Sequence, residues 1–130
     1  MRGNGVYTIC MNTIPFPSGL DIWITQQWGG RSGEEAAIRR EDLLMHAAEY
    51  FPGVRDTDIR LAIQSLRENG WMICNQMSGN GYFPAKSVQE YDEFRTRYIA
   101  KARTIEKIVR AMDVTAKRTF DYAPDQMKLF

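Results

Sequence analysis

Between Asp56 and Gly70 the apolar residues Ile59, Ala62, Ile63 and Leu66 recur at i, i+3, i+4 and i+7, and directly afterwards the spacing changes to that of short strands. This switch restricts the chain more than any other feature. A helix with one buried stripe has to be covered by further elements, and a hairpin following it at once has to pack on the same core. Asp56 is a good N-cap and Asp58 complements the dipole of the first turn. Asn69-Gly70 offers a left-handed stop.

The residues on either side supply the covering elements. Ser18 is a candidate N-cap for a first helix, in which Leu20, Trp23, Ile24 and Trp28 share a face before Gly29-Gly30. A polar connector follows, with Ile38 in a short extended stretch. A second helix is expected from about Arg40 to Tyr50, burying Leu43, Leu44, Ala47, Ala48 and Phe51, and Pro52-Gly53 ends it. After the third helix, Trp71 to Cys74 reads as a strand. Ser78-Gly79-Asn80-Gly81 reads as a turn, and Tyr82-Phe83 as the return strand that Pro84 shortens.

Ser87 with Glu90 forms a capping box. The long helix it opens carries Tyr91, Phe94, Tyr98, Ile99, Ala102, Ile105, Ile108, Val109 and Met112 on one stripe and runs to Asp113, or as far as Ala116. The expected organisation is therefore an N-terminal arm over 1–17, a domain over 18–86, a long helix over 87–116 and a tail over 117–130. The fold class is mainly α.

Composition narrows the function. A chain of 130 residues with 44% hydrophobic and 25% charged residues matches one ordinary soluble domain. A net charge of +1 gives no global signal for nucleic acid and leaves room for a local basic face. Cys10, Cys74 and the single His46 have no metal-ligand spacing, so no metal or other cofactor is expected. No phosphate-binding glycine loop and no catalytic grouping is present, which argues against an enzyme. No stretch approaches the roughly 20 apolar residues of a membrane span, and no secretory signal is evident at the N-terminus, so a cytoplasmic setting is expected.

The order helix, helix, turn, helix, hairpin is that of a winged helix-turn-helix. The Arg39-Arg40-Glu41-Asp42-Leu43 entry, the block from Asp56 to Cys74 and the Gly79-Asn80-Gly81-Tyr82-Phe83 return resemble small DNA-binding winged-helix proteins of bacteria and their phages. With the long basic helix, the arrangement over 18–130 looks like that of small phage-encoded proteins of this kind that end in a clamp-binding peptide.

In such a fold the third helix would present Thr57, Arg60, Leu61, Gln64 and Arg67 to duplex DNA. Arg60 and Gln64 project together, and these side-chain types pair with guanine and adenine edges. Arg55 and Thr57 are placed for phosphate, while Asn80 and Lys86 are what the hairpin offers. The hairpin tip has no Lys or Arg, a departure from winged-helix habit that argues for a covering rather than a DNA-touching wing. The competing reading of the third helix is a solvated face or a protein contact.

The final residues, Gln126-Met127-Lys128-Leu129-Phe130, resemble the bacterial sliding-clamp-binding peptide. Leu129 and Phe130 would enter an apolar pocket, each contributing about 1.5–3 kcal/mol if fully buried, while Gln126 sets the register at its rim and Met127 fills a less restricted position. The bland alternative is an apolar tail that packs back on the body. The long helix, with Arg95, Arg97, Lys101, Arg103, Lys107, Arg110, Lys117 and Arg118, is either a phosphate-tracking arm or a packing helix. The length of its apolar stripe favours a homodimer. Two functions remain: a DNA-binding accessory protein docked on the clamp, or a protein-interaction module without DNA contact. A transcriptional regulator would use the same fold but leave the tail unexplained.

Overall fold

The computed structural model describes residues 15–77 and 81–123. Its elements are α1 (Leu20–Gln26), a 3-10 turn (Glu34–Ala36), β1 (Ile38–Arg39), α2 (Arg40–Ala47), α3 (Asp56–Glu68), β2 (Ile73–Asn75), β3 (Gly81–Pro84) and α4 (Val88–Phe120). The chain divides into two units, Met1–Tyr91 and Asp92–Phe130. Among the described residues the molecule is mainly helical, with one small antiparallel sheet.

In the first unit the expected stripes form the core. Leu20, Ile24 and Trp28 from α1 and its end, Leu43 and Ala47 from α2, and Ile59, Ala62, Ile63 and Leu66 from α3 are all buried. Ile73, Tyr82 and the 3-10 residue Ala36 join them from the sheet side. Ala48, expected in this core, is exposed.

Several boundaries differ from the sequence reading. Ser18 does not cap α1: the cap position is Gly19 at φ 86, with no side-chain cap bond. A left-handed backbone there favours glycine over serine. Helix α2 stops at Ala47 rather than Tyr50, and the chain tightens into turns in which Tyr50 and Phe51 both donate their N–H to Ala47 O, at 3.0 and 2.8 Å. In α3 the cap is Arg55, not Asp56. Asp58 Oδ2 accepts the Arg55 backbone N–H at 2.9 Å, because a carboxylate at the third helical position reaches back over the first turn.

The end of α3 explains why the following strand starts late. Trp71 N–H donates to Leu66 O at 3.0 Å and Gly70 N–H to Arg67 O at 3.0 Å, with Gly70 at φ 96. This pair of bonds is a Schellman cap, so Trp71 still closes the helix and β2 begins only at Ile73. Trp71 is exposed.

Ile38 and Arg39 do more than run extended. They pair with Tyr82 and Gly81, which makes a three-stranded sheet of order β1-β3-β2. Gly81 is buried where this pairing brings backbones together; a Cβ there would stand 2.7 Å from Gln76 Oε1 and 3.0 Å from Ala37 Cβ. Trp28 ties α1 to the sheet by donating Nε1–H to Tyr82 O at 3.1 Å.

Ser87 caps α4 as expected, its Oγ accepting the Glu90 N–H at 3.1 Å. Glu90 completes a different bridge, taking the Lys86 N–H at 2.9 Å and the Glu34 N–H at 3.1 Å. The helix continues past Asp113 and Ala116 to Phe120, since no glycine or proline interrupts it, and Asp121 at φ 55 ends it. The long helix therefore occupies 88–120 rather than 87–116. Lys117 and Arg118 in its last turn complement the dipole. None of its 33 residues is buried. No described helix is long and apolar enough to cross a membrane.

Candidate nucleic-acid interface

Burying Ile59, Ala62, Ile63 and Leu66 turns the opposite side of α3 outward. Thr57, Arg60 and Gln64 are exposed along it, Arg55 is exposed at its cap, and Leu61 and Arg67 are half-buried at its borders. Arg60 makes no ion pair among the described residues, so its guanidinium is available to a ligand. The Gln64 amide donates to Glu68 Oε2 at 3.3 Å, a contact on exposed side chains that costs little to break.

The remaining cations are already occupied. Arg55 Nη2 donates to Asp58 Oδ1 at 3.1 Å and its Nε lies 3.4 Å from Oδ2. Hydrogen bonding to the Arg55 side chain, then to its backbone N–H, holds the Asp58 carboxyl below the usual aspartate range despite burial. Arg67 is a strut between helix and sheet. Its Nε donates to Ile73 O at 2.8 Å, its Nη2 to Asn75 Oδ1 at 2.8 Å, and its guanidinium lies 5.8 Å from the centre of the Tyr82 ring. Lys86 Nζ sits 2.7 Å from Glu35 Oε2. That hydrogen bond lowers the Glu35 pKa and raises that of Lys86.

A shallow groove of about 230 Å³ runs beside the same helix face. Pro15 and Phe16, just before α1, line it with Leu61, Gln64 and Ser65, and Asp21 and Glu68 make its polar wall acidic. Leu61 thus shares this groove with Pro15 and Phe16.

Sequence reasoning missed Arg40. Its Nε donates to Asp56 Oδ1 at 2.7 Å, so it links the starts of α2 and α3, and the Tyr82 side chain and Asp56 together raise its pKa. Asp56 and Tyr82 lie far from it in the chain, and no local pattern signals the pairing. Asn80 and the tail residues Gln126, Met127, Leu129 and Phe130 lie outside the described residues, as do residues 1–14 of the arm and 78–79 of the expected turn. Among the described residues no group of three or more His, Cys, Asp or Glu side chains is placed to hold a metal ion. His46 is exposed and Cys74 is a buried thiol.

No family model, curated protein or solved structure matches the chain.

Proposed function

We propose that the chain is a winged-helix accessory protein, of the kind phages encode, that docks on the bacterial sliding clamp through Gln126, Met127, Leu129 and Phe130. In this reading its body contacts duplex DNA through Thr57, Arg60 and Gln64. The observation that carries the reading of the body is strand pairing. The strand before the helix pair, β1, bonds to the return strand of the hairpin, giving the order β1-β3-β2 around α2 and α3. That connectivity is what a helix-turn-helix with a wing requires. Arg60 and Gln64, one turn apart on the exposed side of α3, are the base-reading pair. The reading of the tail rests on the Gln-x-x-Leu-Phe spacing.

Each half has its own test. Changing Leu129 and Phe130 to Ala abolishes clamp pull-down and leaves circular dichroism unchanged; retained capture discards the tail assignment. Arg60→Ala and Gln64→Ala weaken a duplex gel shift whose parent affinity falls steeply with salt. No shift at low salt discards DNA contact.

The occupied cations favour one other reading. With Arg55 on Asp58, Arg67 on the sheet and Lys86 on Glu35, and with Asp21 and Glu68 beside Leu61, α3 offers a mixed rather than a basic face. Such a face suits a protein partner in replication or recombination. Under this reading the body binds protein while the tail binds the clamp.

A further inference from the structure

The charge of this chain is unevenly placed. Helix α4 carries eight Lys and Arg against five Asp and Glu, while the whole chain is only +1, so the remainder is net acidic. Arg103, Lys107, Arg110, Lys117 and Arg118 fall within about 100° of the circumference of α4, at about 100° per residue. All five are exposed. At 1.5 Å per residue they extend over about 22 Å of the helix axis. Val114 is the one other residue in this sector. The acids of the same stretch, Glu106 and Asp113, lie beyond one border of it and are half-buried.

Most of these cations are uncommitted. Arg110 Nη2 donates to Glu106 Oε2 at 2.9 Å. Arg103, Lys107, Lys117 and Arg118 make no ion pair among the described residues. This contrasts with α3, where Arg55 is held by Asp58 and Arg67 by the sheet. A continuous helix that gathers like charges on one side favours a ligand with negative charges in a row. We infer that this face of α4 binds the phosphate backbone of duplex DNA without reading its sequence.

The composition of the face selects among polyanions. Single strands are held largely by stacking on aromatic rings, and this sector has none. The major groove of B-DNA, about 12 Å wide, admits a helix, whereas that of A-form RNA is deep and narrow. A membrane-surface helix borders its apolar face with cations, but here Ile105 and Met112 lie on the side opposite the cations. A protein interface has an apolar centre, and this face offers only Val114. The sector has no Asn, Gln, Ser or Thr to read base edges, so contact is to phosphate. This inference is independent of the base-reading role of α3 and of the tail.

The test uses the full chain and random-sequence duplex DNA. Parent affinity falls at least about 100-fold between about 50 and 200 mM salt, and does not depend on base composition. Replacing Arg103, Lys107, Lys117 and Arg118 together by Gln cuts that fall to under about tenfold, since each lost phosphate contact removes about 0.9 from the log–log slope. The four sites are exposed and Gln is a good helix former, so circular dichroism stays that of the parent. Lys107→Arg with Lys117→Arg keeps the parent's salt dependence, and Arg60→Ala with Gln64→Ala keeps most of it. No duplex binding at low salt overturns the proposal, as does a fourfold variant with the parent's salt dependence. Tighter binding to single-stranded DNA, duplex RNA, polyglutamate or phosphatidylserine vesicles than to duplex DNA also overturns it.

Discussion

The Arg67 guanidinium donates to Asn75 Oδ1 at 2.8 Å, joining the last turn of α3 to the end of β2. With the bond from its Nε to Ile73 O, this makes Arg67 a fastening between α3 and the hairpin. A residue that sequence assigns to a ligand is here part of the scaffold.

Arg67→Ala therefore acts on stability before it acts on binding. It removes two charge-assisted bonds and leaves Ile73 O and Asn75 Oδ1 to find other donors, which costs about 1.5–3 kcal/mol. Urea denaturation measures the loss. Well below the midpoint the folded variant keeps the parent's gel-shift behaviour, whereas Arg60→Ala changes the gel shift and leaves the urea midpoint in place.

The Asp58 carboxylate gives the first unit an acid-sensitive joint. Its pKa is lowered in the folded chain by Arg55, so ionised Asp58 favours folding. That contribution is complete above the ordinary aspartate value and fades as pH falls through the lower folded value. Asp58→Ala lowers stability at neutral pH by about 1 kcal/mol, as loss of a cap does. Urea midpoints taken from neutral to acidic pH then decline less steeply for the variant than for the parent.

Trp28 holds α1 against the sheet through one hydrogen bond, 3.1 Å from Nε1 to Tyr82 O. Trp28→Phe keeps an aromatic ring in the core but leaves that carbonyl without its donor and a space beside it. Thermal unfolding registers a loss of about 1–3 kcal/mol.

Gly70 stands at φ 96 in the cap of α3 with open space where a Cβ would go, so the cost of a side chain is backbone strain alone. Gly70→Ala destabilises by about 1–2 kcal/mol. Gly70→Asn costs less, because asparagine tolerates the left-handed region. A denaturation series of parent, Asn and Ala variants places them in that order.

Much of the fold was legible in local signals. The stripe from Ile59 to Leu66, the Asn69-Gly70 stop, the Ser87 cap and the Tyr82-Phe83 return strand all concern residues within a few positions of one another. Helical and strand periodicity act over that distance. The errors at Ser18, Tyr50, Trp71 and Ala116 are boundary errors, where the competing choice was a glycine conformation, a tightened turn, a Schellman cap or the lack of a breaker.

The sequence by itself determined the order of the elements and which faces turn inward, because apolar periodicity and capping chemistry are local. Only the tertiary structure decided that Ile38-Arg39 supplies a third strand, that Arg40 bridges to Asp56, and that Arg67 serves the sheet. Those outcomes depend on which polar groups packing brings within hydrogen-bond reach. A cation on a helix face has the same sequence signature whether a phosphate or a backbone carbonyl awaits it.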